Sequence, residues 1–110
     1  MSYAKGKHRM KISVNKNGAE LTLALEGRLD SNTSSELEAN LGGIDDGITA
    51  LHFDLAKLLY ISSAGLRVLL ASQKKMNGMG GKMVVHNPNE LITEIFEATG
   101  FSDILTVQND

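Results

Sequence analysis

The stretch from Leu58 to Leu70 most strongly constrains how this chain folds. Its first residues are apolar and predict a buried strand, and Leu66 to Leu70 begin an amphipathic helix. Ser62, Ser63 and Gly65 lie at the junction. A serine there is placed where backbone N–H groups lack intrahelical partners and the helix dipole favours negative charge. The stretch therefore predicts an anion site, or a serine that becomes an anion by phosphorylation.

The composition limits the classes of protein to which the chain can belong. Its 110 residues are enough for one domain, 1–110, with 42% hydrophobic and 22% charged residues. The chain has no cysteine, so disulfides and thiolate metal sites are excluded. Its apolar runs are far shorter than the roughly 18 residues that span a bilayer, and a net charge of −2 gives no overall attraction to nucleic acid. We expect a cytoplasmic protein that neither inserts into a membrane nor binds nucleic acid.

The first nine residues are basic and are expected to form a flexible leader. Lys5, Lys7, His8 and Arg9 have no apolar region behind them, so the segment is not a signal peptide. The alternative is that this cluster contacts an acidic partner.

Hydrophobic periodicity predicts an α/β fold with the order β-β-α-β-α-β-α. We expect a mixed, mostly parallel sheet of four to five strands with helices packed on it. The predicted strands are Lys11–Val14, Glu20–Leu29, Leu51–Leu55 and Lys82–His86, with a helix from Ala64 to Asn77 and a short last element at Ile104–Val107. Leu21, Leu23 and Leu25 are expected to face one way, and Asn17-Gly18 to form the turn of the first hairpin.

Capping signals place the ends of the other two helices. Thr33 and Glu36 have capping-box spacing, and Gly42-Gly43 would end that helix. Asn87 is the expected N-cap of the last helix, and Gly100, followed by an apolar residue, is its expected stop.

Ser63 is the strongest candidate functional residue. As an N-cap, its hydroxyl would accept from the amide of Gly65 or Leu66, and a phosphate would use the same donors. The alternative is that Ser62 or Ser63 only caps the helix, which contributes about 1 kcal/mol. Glycine in a first helical turn lowers helix propensity, so Gly65 suggests that something approaches its backbone closely.

Two charged residues flank this junction in the predicted fold. Asp30 ends the second strand and would line the same edge as Ser63, although it is equally typical of a turn. Arg67 lies one turn into the helix, where it would contact a phosphate or a partner carboxylate, or remain solvated.

Nothing in the sequence favours catalysis or metal binding. Ser63-Ala64-Gly65 matches half of the G-x-S-x-G nucleophile elbow, but Ile61 replaces the first glycine. His52 and His86 fall in predicted strands without ligand or triad spacing. We therefore expect no catalytic residues, no metal and no cofactor.

The run from Asp54 to Leu66 resembles the signature of the bacterial anti-sigma-factor antagonist family, the STAS domain. Gly27-Arg28-Leu29-Asp30 is similar to the family's early Gly-x-Leu-Asp, and Gly80 to Val85 to its glycine-glycine turn and fourth strand. The segment from Phe96 to Phe101 is similar to its third-helix end. The resemblance covers nearly the whole chain.

This resemblance implies a non-enzymatic switch. An unphosphorylated antagonist binds an anti-sigma factor, often a GHKL-type serine kinase, and frees a sigma factor. The kinase then phosphorylates the antagonist, and a PP2C-type phosphatase reverses the modification. The corresponding serine here is Ser63, with Ser62 as the alternative. The family commonly has aspartate before this serine and Ser or Thr after it, where this chain has Ser62 and Ala64.

The resemblance also implies a partner-binding surface and leaves other outputs open. The expected surface comprises Asp30, Ser62, Ser63, Ala64, Gly65, Leu66 and Arg67. One alternative is an accessory subunit of a phospholipid ABC transporter, and another is a phosphoserine switch with a target other than a sigma factor. We expect a monomer.

Overall fold

The computed structural model describes residues 10–42, 44 and 47–110, and within them five strands form one sheet in the order β1-β2-β3-β4-β5. The strands are β1 (Lys11–Asn17), β2 (Glu20–Leu29), β3 (Ala50–Ile61), β4 (Lys82–His86) and β5 (Val107–Gln108). The helices are α1 (Ser34–Leu41), α2 (Ser63–Gly78) and α3 (Glu90–Thr99), and a 3₁₀ turn follows at Phe101–Asp103. The predicted leader, residues 1–9, lies outside the described residues.

The sheet is mixed and mostly parallel, as predicted. β1 pairs with β2 antiparallel, whereas β2, β3, β4 and β5 pair in parallel with their neighbours. The order of strands and helices confirms the predicted succession. None of the helices in the described ranges is long and apolar enough to cross a membrane.

The hydrophobic core lies on one face of the sheet. Side chains alternate along the strands, so Leu21, Leu23 and Leu25 are buried on β2, as predicted, and Leu51, Phe53 and Leu55 are buried beside them on β3. The helices cover this face with apolar side chains that include Leu37, Leu69, Met76, Ile92 and Phe96. The opposite face of β2, β3 and β4 carries Thr22, His52, Asp54 and His86, which all remain partly exposed.

The first hairpin turns one residue later than predicted. Asn17 still pairs with Glu20, so the two-residue loop is Gly18-Ala19. Gly18 has a φ of 64°, a left-handed conformation that glycine adopts without steric cost. Glycine at the first loop position fits a type II′ turn, whose twist matches that of the strands.

The central strand is much longer than its apolar alternation predicts. β3 continues for six residues beyond Leu55, through Ile61. The alternation breaks at Ala56 and Lys57, which are both exposed, because the pairing with β2 shifts register between Ala24 and Glu26. β3 therefore incorporates the apolar stretch that starts at Leu58.

The caps of α1 and α3 agree only in part with the predicted ones. Thr33 is the N-cap of α1, as its spacing predicts, but its side chain makes no capping bond. Its hydroxyl instead accepts from the amide of Asp30 at 2.9 Å and donates to the carbonyl oxygen of Arg28 at 2.8 Å, so the Thr33 half of the predicted capping box is absent. Gly42 ends α1 with an ordinary right-handed conformation, and Gly43 lies outside the described residues. The N-cap of α3 is Asn89, two residues after the predicted Asn87.

The remaining boundaries agree closely with prediction. α2 begins one residue before the predicted start and ends one residue after the predicted end. β4 has the predicted bounds, and Gly100 ends α3 in a left-handed conformation with φ 80°. The last predicted element, Ile104–Val107, is mostly loop, and β5 begins only at Val107.

Candidate functional site

The candidate site lies where β2 and β3 end at the same edge of the sheet. Leu29 and Ile61, the last residues of these strands, are paired in register. The amide of Ser62 extends the pairing by donating to the carbonyl oxygen of Leu29 at 2.8 Å. Asp30 and Ser62 therefore follow neighbouring parallel strands, and the edge predicted to carry both Asp30 and Ser63 is present.

The two serines at the start of α2 have different environments. Ser62 is the N-cap: its backbone is extended, and its Oγ accepts from the amide of Gly65 at 3.3 Å. Its carbonyl oxygen accepts the first helical bond, from Leu66, at 2.9 Å. The prediction that Ser63 is the N-cap is therefore wrong, because the strand ends one residue earlier than a cap at Ser63 requires.

Ser63 is the first residue of α2, and its side chain is exposed. No hydrogen bond from its hydroxyl to any other described residue is found. Amides in the first turn of a helix have no intrahelical acceptors, and the helix dipole is positive at this end. The position combines an accessible hydroxyl with surroundings that stabilise an anion.

Gly65 explains how closely α2 approaches the sheet. A Cβ atom at this position would lie 2.7 Å from Cγ of Leu29 and 2.9 Å from Cγ1 of Ile61. The close approach that the sequence suggested is therefore made by the protein's own strand ends. Gly65 and Leu66 are both buried, so they position the first turn of α2 and do not form its accessible surface.

Asp30 organises the loop on the other side of the edge. Its Oδ1 accepts from the amides of Asn32 at 2.9 Å and Thr33 at 3.1 Å. Burial acts to raise the pKa of this carboxyl. The hydrogen bonds from Thr33 and Asn32, with the charge of Arg28, outweigh that effect and hold the pKa below its ordinary value of 3.8. Asp30 is therefore an ionised carboxylate beside the start of α2.

Two cations border the same edge. The guanidinium carbon of Arg28 lies 4.6 Å from the centroid of the Tyr60 ring, a cation–π contact between paired positions of β2 and β3. Arg67 is exposed, one turn into α2 from Ser63. In the sequence, Arg28 stands out only as part of the Gly-x-Leu-Asp motif, because its contact with Tyr60 depends on the alignment of β2 with β3.

The accessible surface at this edge is therefore defined by a smaller set than the predicted one. Ser63 and Arg67 are exposed, whereas Asp30, Ser62 and Ala64 are partly exposed. We call these five residues the junction surface. It combines a hydroxyl at a helix N-terminus with a carboxylate and a guanidinium, which suits docking by a partner and modification of the hydroxyl.

The two histidines in the described ranges, His52 and His86, lie away from the junction surface. His52 is nine residues before Ile61 on β3, a separation of about 30 Å at roughly 3.3 Å per residue. His86 contacts His52, with 2.9 Å between their ring nitrogens. Neither imidazole is therefore placed to activate the Ser63 hydroxyl. Among the described residues, no group of three or more His, Asp or Glu side chains is arranged to hold a metal ion.

Comparison with protein families identifies one match that covers most of the chain. The family model described as "Mlab, STAS domain" matches residues 12–106. Among named proteins, BtrV of Bordetella bronchiseptica, which is named as an anti-sigma factor antagonist, is 37% identical over 101 residues. That match covers 91% of this chain and 87% of the relative.

Solved structures share the fold at lower identity. An anti-sigma factor antagonist from Mycobacterium paratuberculosis has a TM-score of 0.79 and 22% identity, with 89% of this chain and 84% of that chain covered. The Bacillus cell fate determinant SpoIIAA, in its phosphorylated form, has a TM-score of 0.75 and 14% identity, with 91% of each chain covered. The family match, the relative at 37% identity and the shared fold agree: the chain belongs to the STAS-domain family of anti-sigma factor antagonists.

Proposed function

We propose that this protein is an anti-sigma factor antagonist whose binding is switched off by phosphorylation of Ser63. In the unphosphorylated state, the junction surface would dock on an anti-sigma factor and thereby free a sigma factor. The names of the relatives support this function over the transporter-subunit alternative. The single observation that carries the site assignment is the exposed Ser63 hydroxyl at the first position of α2.

The division of roles between the two serines favours Ser63 over Ser62 as the phosphoacceptor. The Ser62 oxygen is engaged with the amide of Gly65, and a kinase would have to break that cap to reach it. The Ser63 side chain projects from the first turn and is accessible without any rearrangement. Phosphorylation at Ser63 would therefore leave the fold intact.

The electrostatics of the junction surface explain how a phosphate would act. A phosphoserine carries about −1.5 to −2 charge at pH 7 and would lie at the positive end of α2, one turn from Arg67. In the free protein these features and water stabilise the dianion. In a complex, the dianion and the ionised Asp30 would both lose water, and burial of an unmatched charge costs several kcal/mol. Since about 1.4 kcal/mol is tenfold in affinity, the modified protein would bind its partner far more weakly.

The shared fold is compatible with such a modification. SpoIIAA, which has the same fold, is described in both an unphosphorylated and a phosphorylated form. A STAS domain can therefore carry a phosphate without losing its architecture. A GHKL-type anti-sigma kinase and a PP2C-type phosphatase are the partners that we propose for this chain.

Phosphopeptide mapping tests the site. The protein recovered from its native host should carry one phosphate, of about 80 Da, on Ser63. Ser62→Ala should still be phosphorylated, whereas Ser63→Ala should not. Phosphate on Ser62 in the wild-type protein would contradict the proposal. A protein that carries no phosphate under any growth condition would contradict it as well.

Affinity capture from the same host tests the partner. Wild-type protein and Ser63→Ala should recover a GHKL-type anti-sigma factor, and Ser63→Asp should recover much less of it. Recovery of an ABC ATPase in its place would favour the transporter-subunit alternative.

A further inference from the structure

A second cluster of polar side chains lies on the open face of the sheet, away from the junction surface. Glu20 begins β2, His52 lies in β3, His86 ends β4 and Asp110 follows β5. Both histidines are largely buried, with 19% and 17% of their side chains exposed. The function proposed above makes no use of this cluster.

The four side chains form a continuous hydrogen-bonded chain. Nε2 of His52 lies 2.8 Å from Oε1 of Glu20, and Nδ1 of His52 lies 2.9 Å from Nε2 of His86. Nδ1 of His86 lies 3.2 Å from Oδ2 of Asp110. Both rings are thus held by both of their nitrogens, and each end of the chain is a carboxylate.

Two neutral rings carry too few protons to form all three hydrogen bonds of this chain. An ionised carboxylate only accepts, so Glu20 and Asp110 each require an N–H from the ring that faces them. The contact between the rings requires one more N–H. Three protons on four ring nitrogens are needed, and two neutral imidazoles carry two. With both outer nitrogens protonated, two lone pairs would face each other across 2.9 Å.

We propose that His52 and His86 together bind a single additional proton, so that the folded protein holds one imidazolium between Glu20 and Asp110. The bound proton completes a chain that joins β2, β3 and β4 to the segment 108–110. Asn87 fixes the same segment, because its Oδ1 accepts from the amide of Asp110 at 2.7 Å. Release of the proton would leave one of the three hydrogen bonds without a donor. We expect the hydrogen bond between His86 and Asp110 to be lost, because at 3.2 Å it is the longest of the three. The shared proton thus helps to hold this segment against the sheet.

The charges around the pair favour a bound cation. Asp54 lies on the same face of β3, but its Oδ1 accepts from the amide of Ala56, outside the chain. Lys82 is on the same face of β4, opposite Ala50, and is the nearest cation along that strand. β1 and β5 place the neutral Asn17 and Gln108 nearby. Three carboxylates, those of Glu20, Asp54 and Asp110, therefore line the same groove as the two rings. The nearest groove along the sheet adds the charged side chains of Lys11, Glu26 and Lys57 beside Asp54.

One substitution in this protein removes the need for the additional proton while keeping all three hydrogen bonds. In Asp110→Asn, the side-chain amide can donate to Nδ1 of His86, so two neutral rings satisfy every contact. Glu20→Gln does the same from the other end. Asp54→Asn is the matched control, because it removes the same charge from the same face without entering the chain.

Long-range ¹H–¹⁵N spectra of the full chain at pH 7 count the protons on the ring nitrogens directly. Free imidazole, with a pKa of about 6.5, is mostly neutral at this pH. We expect three protonated ring nitrogens across His52 and His86 in the wild-type protein and in Asp54→Asn, and two in Asp110→Asn. Two in the wild-type protein would overturn the proposal, as would equal losses in Asp110→Asn and Asp54→Asn. If both rings are neutral and the spectrum changes only after zinc chloride is added, the contact between the two ring nitrogens would be assigned to a metal ion, and the proposed proton would be ruled out.

Discussion

At the scale of single residues, the two adjacent serines at the start of α2 have different roles. Ser62 satisfies an amide that the helix leaves unbonded, and Ser63 leaves its hydroxyl exposed. The sequence predicted the junction but not this division, because either serine fits a cap by spacing alone. For the same reason, spacing predicted Asn87 as the N-cap of α3, whereas the N-cap in the structure is Asn89. The choice depends on where the preceding strand or loop ends, which local patterns do not encode.

Stability measurements separate the two serines. We expect Ser62→Ala to lower the free energy of unfolding by about 1 kcal/mol, since the amide of Gly65 loses its acceptor. Ser63→Ala should change it by less than about 0.5 kcal/mol, because the residue is exposed. Urea unfolding of both variants provides the measurement. Equal losses would show that Ser63 also caps the helix.

Asp30 makes stability depend on pH in the acid range. Because folding lowers the pKa of this carboxyl, its contribution is fully present above the ordinary value of 3.8 and is lost as pH falls through the folded pKa. Asp30→Asn should therefore have a lower Tm than the wild-type protein at neutral pH, and the difference should shrink below about pH 4. Thermal unfolding of both proteins at several pH values from about 2 to about 7 measures this difference in Tm. A difference that stays constant with pH would show that the hydrogen bonds act without the charge.

At the scale of elements, α2 is positioned by the ends of β2 and β3. Gly65 allows its first turn to rest on Leu29 and Ile61, and the amide of Ser62 bonds to Leu29. The boundaries of α2 were predictable because its apolar periodicity is strong and glycines follow it. The length of β3 was not, since the shifted register with β2 disrupts the alternation at Ala56 and Lys57.

Gly65→Ala tests this packing. The added methyl would lie within 3.0 Å of two core side chains, and overpacking of this kind typically costs about 1–3 kcal/mol. Gly78→Ala is the control, because a Cβ there meets nothing within 4 Å and alanine favours the helix. We expect Gly65→Ala to be destabilised and Gly78→Ala to be unchanged or slightly more stable in urea unfolding. Equal stabilities would mean that α2 shifts freely on the sheet.

At the scale of the whole molecule, the sheet places its two polar sites apart. The helices bury one face, the junction surface lies at the ends of β2 and β3, and the histidine pair lies on the open face. The fold was predictable because strand alternation, helical periodicity and the turn glycines agree along the chain, even where the caps were misplaced. The histidine pair was not, because it depends on the register between β3 and β4 and on the docking of Asp110.

In the proposed switch, one phosphate on Ser63 controls partner binding without unfolding the domain. The most direct measurement is calorimetric titration of the anti-sigma factor from the same host with the unphosphorylated protein and with the protein phosphorylated at Ser63. We predict at least about a tenfold loss of affinity on phosphorylation, with an unchanged far-ultraviolet circular dichroism spectrum. Equal affinities of the two forms would show that phosphorylation of Ser63 does not control binding.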